Sequence, residues 1–278
     1  MRLIRYGNPG KERPGLLVGG NVVDIRKHFP EAPDIGPDFF ADGWVARVAA
    51  ISDTGRPLTE RLGPPVAAPS KIICLGKNYA EHAKEGGFAN PAAPLIFCKS
   101  PNTVSGPSDD IRLPTSSGQV DWEVELALVV GRAGRAIRKE AAMDFVVGYM
   151  VMNDVSGRAA QFADSQWFRG KAFDTFAPMG PVLVTPDEIT DLRNLTLTAR
   201  VNGALMQDGN TRDMIFDVPT IIENISEDIT LMSGDIISTG TPSGVGIFRN
   251  PPITLTAGDV VECCIEGIGC IKNKVVAD

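Results

Sequence analysis

The strongest constraint on this chain is the pattern that follows Lys71. Short runs of β-branched and apolar residues, each bounded by turn residues, occupy 72–75, 95–98, 124–130, 146–153, 181–185, 195–202, 235–238 and 260–265. A turn at Gly267-Ile268-Gly269 leads into a last run, 270–276. Such runs are strand-forming. Helical spacing is confined to 79–85, 139–145, 156–167 and 218–225. Strands and helices do not alternate, which disfavours a doubly wound parallel sheet. The expectation is a mixed α/β, β-rich architecture, a roll or sandwich of mixed sheets whose loops carry the site.

Ahead of that region lies a smaller unit. Residues 2–6 and 15–25 read as strands, with Gly19-Gly20-Asn21 as a hairpin turn, and Phe40, Trp44, Val45, Val48 and Ile51 fall at helical spacing within 39–51. Residues 52–70 carry Pro57, Pro64, Pro65 and Pro69 and read as a linker. The expected division is a small N-terminal annex with its linker over 1–69 and a catalytic domain over 70–278. A chain of 278 residues, 43% of them apolar, can bury a full core. No run of eighteen apolar residues is present, so no membrane partner is expected, and the N-terminus meets charge and Gly7 too early for a secretory signal. A net charge of -7 without a basic block excludes a nucleic-acid backbone as a natural partner.

The chain has two histidines, His28 and His82, which rules out a three-histidine metal site. His28 reads as a surface residue of the annex. Its five cysteines, Cys74, Cys98, Cys263, Cys264 and Cys270, include no CxxC pair and read as reduced, buried thiols of a cytoplasmic protein.

Five segments carry the chemistry. In Asp121-Trp122-Glu123-Val124-Glu125, strand alternation puts Glu123 and Glu125 on one face about 7 Å apart. They are either a solvated strand end or two carboxylates beside a core that call for a cation between them. Asp154, ending the apolar run 146–153, is either a helix N-cap or a third carboxylate of the same site. Three oxygen ligands would select a hard cation with positions left for water and substrate, which suits a chelating 2-oxo acid. In Asn78–Gly87, His82 and Glu85 at i, i+3 are either an exposed helix pair or a base with its orienting carboxylate, and Gly86-Gly87 would suit a lid. Lys171, in a glycine- and aromatic-rich loop, is either a surface lysine or a cation for an enolate or carboxylate. The run Thr239–Gly246 is either a tight turn or a backbone cradle for an anion; it lacks the P-loop ending.

Taken in order, Gly76-x-Asn78-Tyr79-x-x-His82-x-x-Glu85, Asp121-x-Glu123-x-Glu125-Leu126, Asn153-Asp154-Val155-Ser156-x-Arg158, Gly170-Lys171-x-Phe173-Asp174 and Thr239-Gly240-Thr241-Pro242-x-Gly244 resemble the fumarylacetoacetate hydrolase family, from about Lys71 to Val275. The resemblance implies the family's β-roll, a homodimer, and Mg²⁺ or Mn²⁺ held by Glu123, Glu125 and Asp154. It implies a dyad of His82 and Glu85, a site lysine at Lys171, and substrate contacts at Arg158, Gln161 and Thr241. Gln207, Thr211 and Met214 match a family loop near the site. The extra metal-binding aspartate of fumarylacetoacetase has no counterpart, which argues against that activity.

The leading expectation from the resemblance is hydrolysis of a C–C bond in a 2,4-dioxo acid to pyruvate and a second acid, with a substrate such as 2,4-diketo-3-deoxyfuconate or its rhamnonate analogue. Glu85 would orient His82 to activate water, and Lys171 with the metal would stabilise the pyruvate enolate. Oxaloacetate decarboxylation and isomerisation or decarboxylation of hydroxyheptadienedioate-type acids are alternatives on the same site. Ureidoglycolate lyase and a non-catalytic metal-binding protein stand further off.

Overall fold

The protein is described from a computed structural model, which covers residues 1–116 and 118–278. Its centre is the strand Val124–Val130, buried along its whole length. It pairs antiparallel with Val146–Asn153 on one side and with Ile236–Ser238 on the other. Beyond Ile236–Ser238 comes Ile72–Gly76, in parallel, and then Leu95–Lys99. Beyond Val146–Asn153 comes Ala177–Val184, which in turn pairs with Arg2–Tyr6. The sheet therefore has twelve strands and runs without a break into the N-terminal hairpin strands Arg13–Val18 and Asn21–Asp24.

Alternation on this sheet builds two cores. Val124, Leu126, Leu128 and Val130 face one cluster, together with Ile73, Leu75 and Ile237. That cluster is closed by a five-stranded sheet, through Leu197, Ala199, Val261, Cys263 and Ile271, and by the helix Val218–Ser226, through Ile221, Ile222 and Ile225. Ala127, Val129, Met150, Met152 and Ile72 face the other cluster, which Leu3, Phe39, Phe40 and Trp44 of the N-terminal segment cover. Such alternation lets one strand serve two cores. A mixed, strand-rich fold with few, short helices is thus what forms.

Several local expectations are corrected. The segment 52–70 is not a bare linker: Arg56–Pro57 pairs with Asn21–Asp24, Leu62–Gly63 pairs with Arg2–Tyr6, and Val66 is fully buried. The helical run at 39–51 is two short helices, Pro37–Ala41 and Trp44–Val48, interrupted at Gly43, whose φ of 72° leaves helical space. The run 139–145 is a 3₁₀ helix. The helix expected at 156–167 shrinks to Arg158–Gln161, because Ser156–Gly157 first pairs as a strand with Val120–Asp121. Lys171 sits at the end of a separate short helix, Phe168–Lys171, rather than in a loop.

The thiols are also revised. Cys264 and Cys270 face one another across the hairpin and form a disulfide, and Cys98 is exposed. Cys74 and Cys263 are buried and free, as expected of small apolar side chains, and burial pushes both thiols up. His28 is a surface residue, paired with Asp53 at 3.0 Å.

Candidate active site

Glu123 and Glu125 precede and open the central strand on the face shared by Ala127 and Val129. Asp154 follows the neighbouring strand on the same face as Met150 and Met152. The pairing of Val124 with Asn153 brings the three carboxylates together, and one oxygen from each lies within 4.8 Å of the others. None is a solvated strand end: Glu123 is 5% exposed, Glu125 1% and Asp154 0%.

Three cations share the same buried space. Lys171 Nζ donates to Glu123 Oε2 at 2.7 Å and to Asp154 Oδ2 at 2.8 Å. Arg158 donates from Nη2 to Glu123 Oε1 and from Nε to Asp121 Oδ1, both at 2.6 Å, and from Nη1 to Gln161 Oε1 at 3.0 Å. The third cation is Lys99, which ends Leu95–Lys99 and donates to Asp154 Oδ1 at 2.6 Å and to the Val155 carbonyl at 3.1 Å. Lys99 does not emerge from sequence reasoning, and Asp121 does so only as a motif position without a role. A lysine closing the apolar strand 95–98 was the available signal, since a lone charge there has either water or a buried partner to satisfy it.

The charges do not balance evenly. Asp121, Glu123, Glu125 and Asp154 face Lys99, Lys171 and Arg158, four acids against three bases. Burial alone would raise Glu123, but the charges of Lys171 and Arg158 outweigh it and hold the carboxyl well below its usual range. Glu125 goes the other way. Burial, then Asp154 and Glu123, push it well above the carboxylate range. Its donors are neutral, the Ser238 hydroxyl and the Gly240 N–H at 3.0 Å. Glu125 is therefore the carboxyl still short of a cation, and an all-oxygen set with one uncompensated member fits a divalent ion such as Mg²⁺ or Mn²⁺. Lys99 is held below its ordinary value by burial, in spite of Asp154.

Backbone between the two glutamates is fixed from the side. Gln207 Oε1 accepts from the Val124 N–H at 2.9 Å, and Thr241 Oγ1 donates to the Val124 carbonyl at 2.9 Å. Gln207 Nε2 in turn donates to Thr241 Oγ1 at 2.8 Å. Gln207 lies on Ala204–Asn210, a strand absent from the sequence reading. Thr211 is buried beyond that strand, and Met214 bridges to Tyr79; neither borders the cleft.

The dyad forms on the helix Ala80–Glu85: His82 Nδ1 lies 2.8 Å from Glu85 Oε1. Glu85 Oε2 accepts from the Gly244 N–H at 2.9 Å, so the glycine run at 239–246 anchors the dyad as well as Glu125. With Nδ1 engaged by a carboxylate, Nε2 is the nitrogen left to exchange a proton. His82, Glu123, Glu125, Arg158, Gln161 and Thr241 line one cleft, walled by Phe88, Phe97, Phe162, Trp167 and Phe248. Lys171 is buried and does not line this cleft.

Fold and site together define a class: a strand-rich scaffold with a buried acidic triad that could hold a divalent metal, beside a histidine–glutamate dyad. The model described as fumarylacetoacetate (FAA) hydrolase C-terminal matches residues 71–276, and the chain belongs to that enzyme family. It is 44% identical over 288 residues to the mitochondrial oxaloacetate tautomerase fahd2 of Xenopus laevis, covering 99% of this chain and 90% of that protein. Among solved structures, a fumarylacetoacetate hydrolase from Exiguobacterium antarcticum superposes with a TM-score of 0.88 at 38% identity, covering 100% of both chains. A 2-hydroxyhepta-2,4-diene-1,7-dioate isomerase from Mycobacterium marinum superposes with a TM-score of 0.77 at 38% identity, covering 100% of this chain and 99% of that one.

Proposed function

We propose that this chain is a divalent-metal-dependent enzyme of 2-oxo acids that interconverts keto and enol forms of an oxaloacetate-type substrate. The observation that carries the reading is the single uncompensated carboxyl of the buried triad, Glu125, which has only neutral donors and lines one cleft with Glu123 and the histidine base His82. Relatives named oxaloacetate tautomerase and 2-hydroxyhepta-2,4-diene-1,7-dioate isomerase support tautomerisation or isomerisation, and a neighbour named fumarylacetoacetate hydrolase supports the C–C hydrolysis expected first. Residues 70–278 would carry the reaction and 1–69 would brace it.

A Mg²⁺ or Mn²⁺ ion held by Glu123, Glu125 and Asp154 would supply Lewis acidity at the C2 carbonyl and so acidify C3. The protein's own groups do the rest. Arg158, held by Asp121 and Glu123, and Gln161 orient the acid head, with Thr241 fixing the strand beneath it. Lys171 pairs with Glu123 and Asp154 and adds positive potential where enolate charge develops. His82 takes a proton from C3 through Nε2 and returns it to the C2 oxygen. One C–H bond is lost and one O–H bond formed, with no water consumed. Glu85 holds the imidazole in the tautomer this requires and stabilises it when protonated.

The second reading, hydrolysis of a 2,4-dioxo acid, rests on the same dyad, since an oriented histidine also activates water. Following enol absorbance, pyruvate and CO₂ side by side separates the reactions. The expected result is metal-dependent enol decay with neither pyruvate nor CO₂, lowered about 10²–10⁴-fold in His82→Ala. Pyruvate from a 2,4-dioxo acid would favour hydrolysis, CO₂ from oxaloacetate decarboxylation, and no turnover a binding protein. We further propose a homodimer, tested by light scattering against the 29.7 kDa chain mass. No helix among the described residues is long and apolar enough to cross a membrane. The proposed cytoplasmic location is tested by cell fractionation, since relatives include mitochondrial proteins.

A further inference from the structure

Lys77 stands out among the residues lining the cleft. Arg158, the other basic side chain there besides His82, is ion-paired with Asp121 and Glu123 and is assigned above to the acid head. Lys77 has no ion pair and no hydrogen bond from its side chain among the described residues. Its ammonium lies 3.9 Å from the centroid of the Phe88 ring, on the segment that follows the His82 helix. A lysine so placed at the surface of a cleft has solvation to lose and no carboxylate to replace it.

The backbone spends energy to hold it there. Lys77 has φ 60°, in the left-handed region that a side chain other than Gly or Asn rarely adopts. The next residue enforces this. Asn78 donates to the Phe216 and Thr239 carbonyls at 3.1 and 2.8 Å, accepts from the Phe216 N–H at 2.8 Å, and its carbonyl accepts from the Ile215 N–H at 2.7 Å. On the other side, Gly76 is so close to Trp167 that a Cβ would sit 2.6 Å from its ring. The strand therefore leaves the sheet along a path fixed at both neighbours, and that path delivers the Lys77 side chain to the cleft. Strain maintained at a ligand-facing residue is a mark of function.

We propose that Lys77 binds a second carboxylate, at the end of the substrate away from the 2-oxo acid head, and so selects dicarboxylic over monocarboxylic 2-oxo acids. The inference rests on the functional reading above and deepens it. The aromatic walls (Phe88, Phe97, Phe162, Trp167 and Phe248) offer a substrate tail no other charge, so the distal group is read by Lys77 or by water. Phe88 would keep the ammonium at the cleft until an anion draws it off the ring.

The test compares two probes with the same chelating head on the Mg²⁺-supplemented protein. N-Oxalylglycine carries a distal carboxylate; N-methyloxamate has a methyl group in its place. By titration calorimetry the wild type is expected to prefer N-oxalylglycine by about 10–100-fold, the worth of one charge-assisted contact. Lys77→Met should erase that preference while leaving N-methyloxamate binding unchanged, and Lys77→Arg should restore most of it. A preference that survives Lys77→Met overturns the proposal, as does equal weakening of both probes, which would make Lys77 a support for Phe88 only. A wild type that binds both probes equally also overturns it. If neither probe binds, the reading of the site as a 2-oxo acid centre fails, and this inference falls with it. Oxaloacetate kinetics supply a second readout: Lys77→Met should raise KM by a similar factor with kcat little changed.

Discussion

At the scale of single residues, Glu125 decides how the site behaves without an ion. Its carboxyl is buried with neutral donors and two acidic neighbours, so its charge is unfavourable until a cation arrives. Glu125→Gln keeps the acceptor for Ser238 and Gly240 and removes that charge. The metal-free variant should therefore withstand at least as much urea as the wild type. Its Mg²⁺ affinity should fall by more than the roughly 10–100-fold typical of losing a residue behind a ligand. Calorimetric titration and urea melts check the two halves independently. Lys99→Met should do the opposite. It strands Asp154 beside Lys171 alone, and losing one member of a fully buried pair costs about 3–5 kcal/mol. A urea midpoint equal to the wild type would show that Lys99 is no part of the charge balance.

At the scale of elements, the loop through Gly244 ties the dyad to the strand carboxylates. Gly244 has φ +105°, and a Cβ there would lie 2.2 Å from the Met206 carbonyl oxygen. Gly244→Ala must shift the N–H that holds Glu85, so kcat should drop at least tenfold while bound Mg²⁺ is retained; unchanged turnover would show that this anchor is dispensable. The helix Val218–Ser226 closes the first core and is capped by Asp217, which accepts from the Thr220 N–H at 3.1 Å. Burial would raise this carboxyl, but the Thr220 bonds and Lys139 outweigh it and lower it. A lowered folded-state pKa adds stability above the usual aspartate range and loses it as pH falls through the folded value. Asp217→Ala should thus cost about 1 kcal/mol at neutral pH. The difference from wild type should shrink as pH falls through the folded value, as urea melts across the acid range would show.

Legibility followed periodicity at this scale. The two-residue alternation of 123–130 put both glutamates on one face, and the i, i+3 spacing of His82 and Glu85 paired them. What stayed hidden depended on partners remote in sequence. Lys99 reads as a strand end until Asp154 is placed beside it. The thiols at 264 and 270 meet only through hairpin register. The strand Ala204–Asn210 is broken by Asp208 and Gly209, yet Asn202-Gly203, with φ values of 51° and 83°, is the turn sequence that announces its hairpin.

At the scale of the whole molecule, the N-terminal segment shares both a sheet and a core with the rest. Leu3 pairs with Leu183, and Phe39, Phe40 and Trp44 cover the face of the sheet that carries Ala127, Val129, Met150 and Met152. A chain reduced to residues 70–278 would expose that face to water, a patch large enough to drive association. It should be recovered mainly as aggregate in gel filtration, and adding residues 1–69 in trans should restore a soluble species. A soluble, monodisperse 70–278 fragment would show that the second core closes without them.

The alternation of the central strand has a consequence for how the chain finds its fold. A slip of one residue between Val124–Val130 and Val146–Asn153 would turn Glu123 and Glu125 toward the face now filled by Val124, Leu126 and Leu128. There Glu123 would meet hydrocarbon, far from the Lys171 and Arg158 that pair with it, and a lone buried carboxylate costs several kcal/mol. The ion pairs of Glu123 therefore proofread strand pairing: the register that assembles the triad is the one that gives this carboxylate its partners.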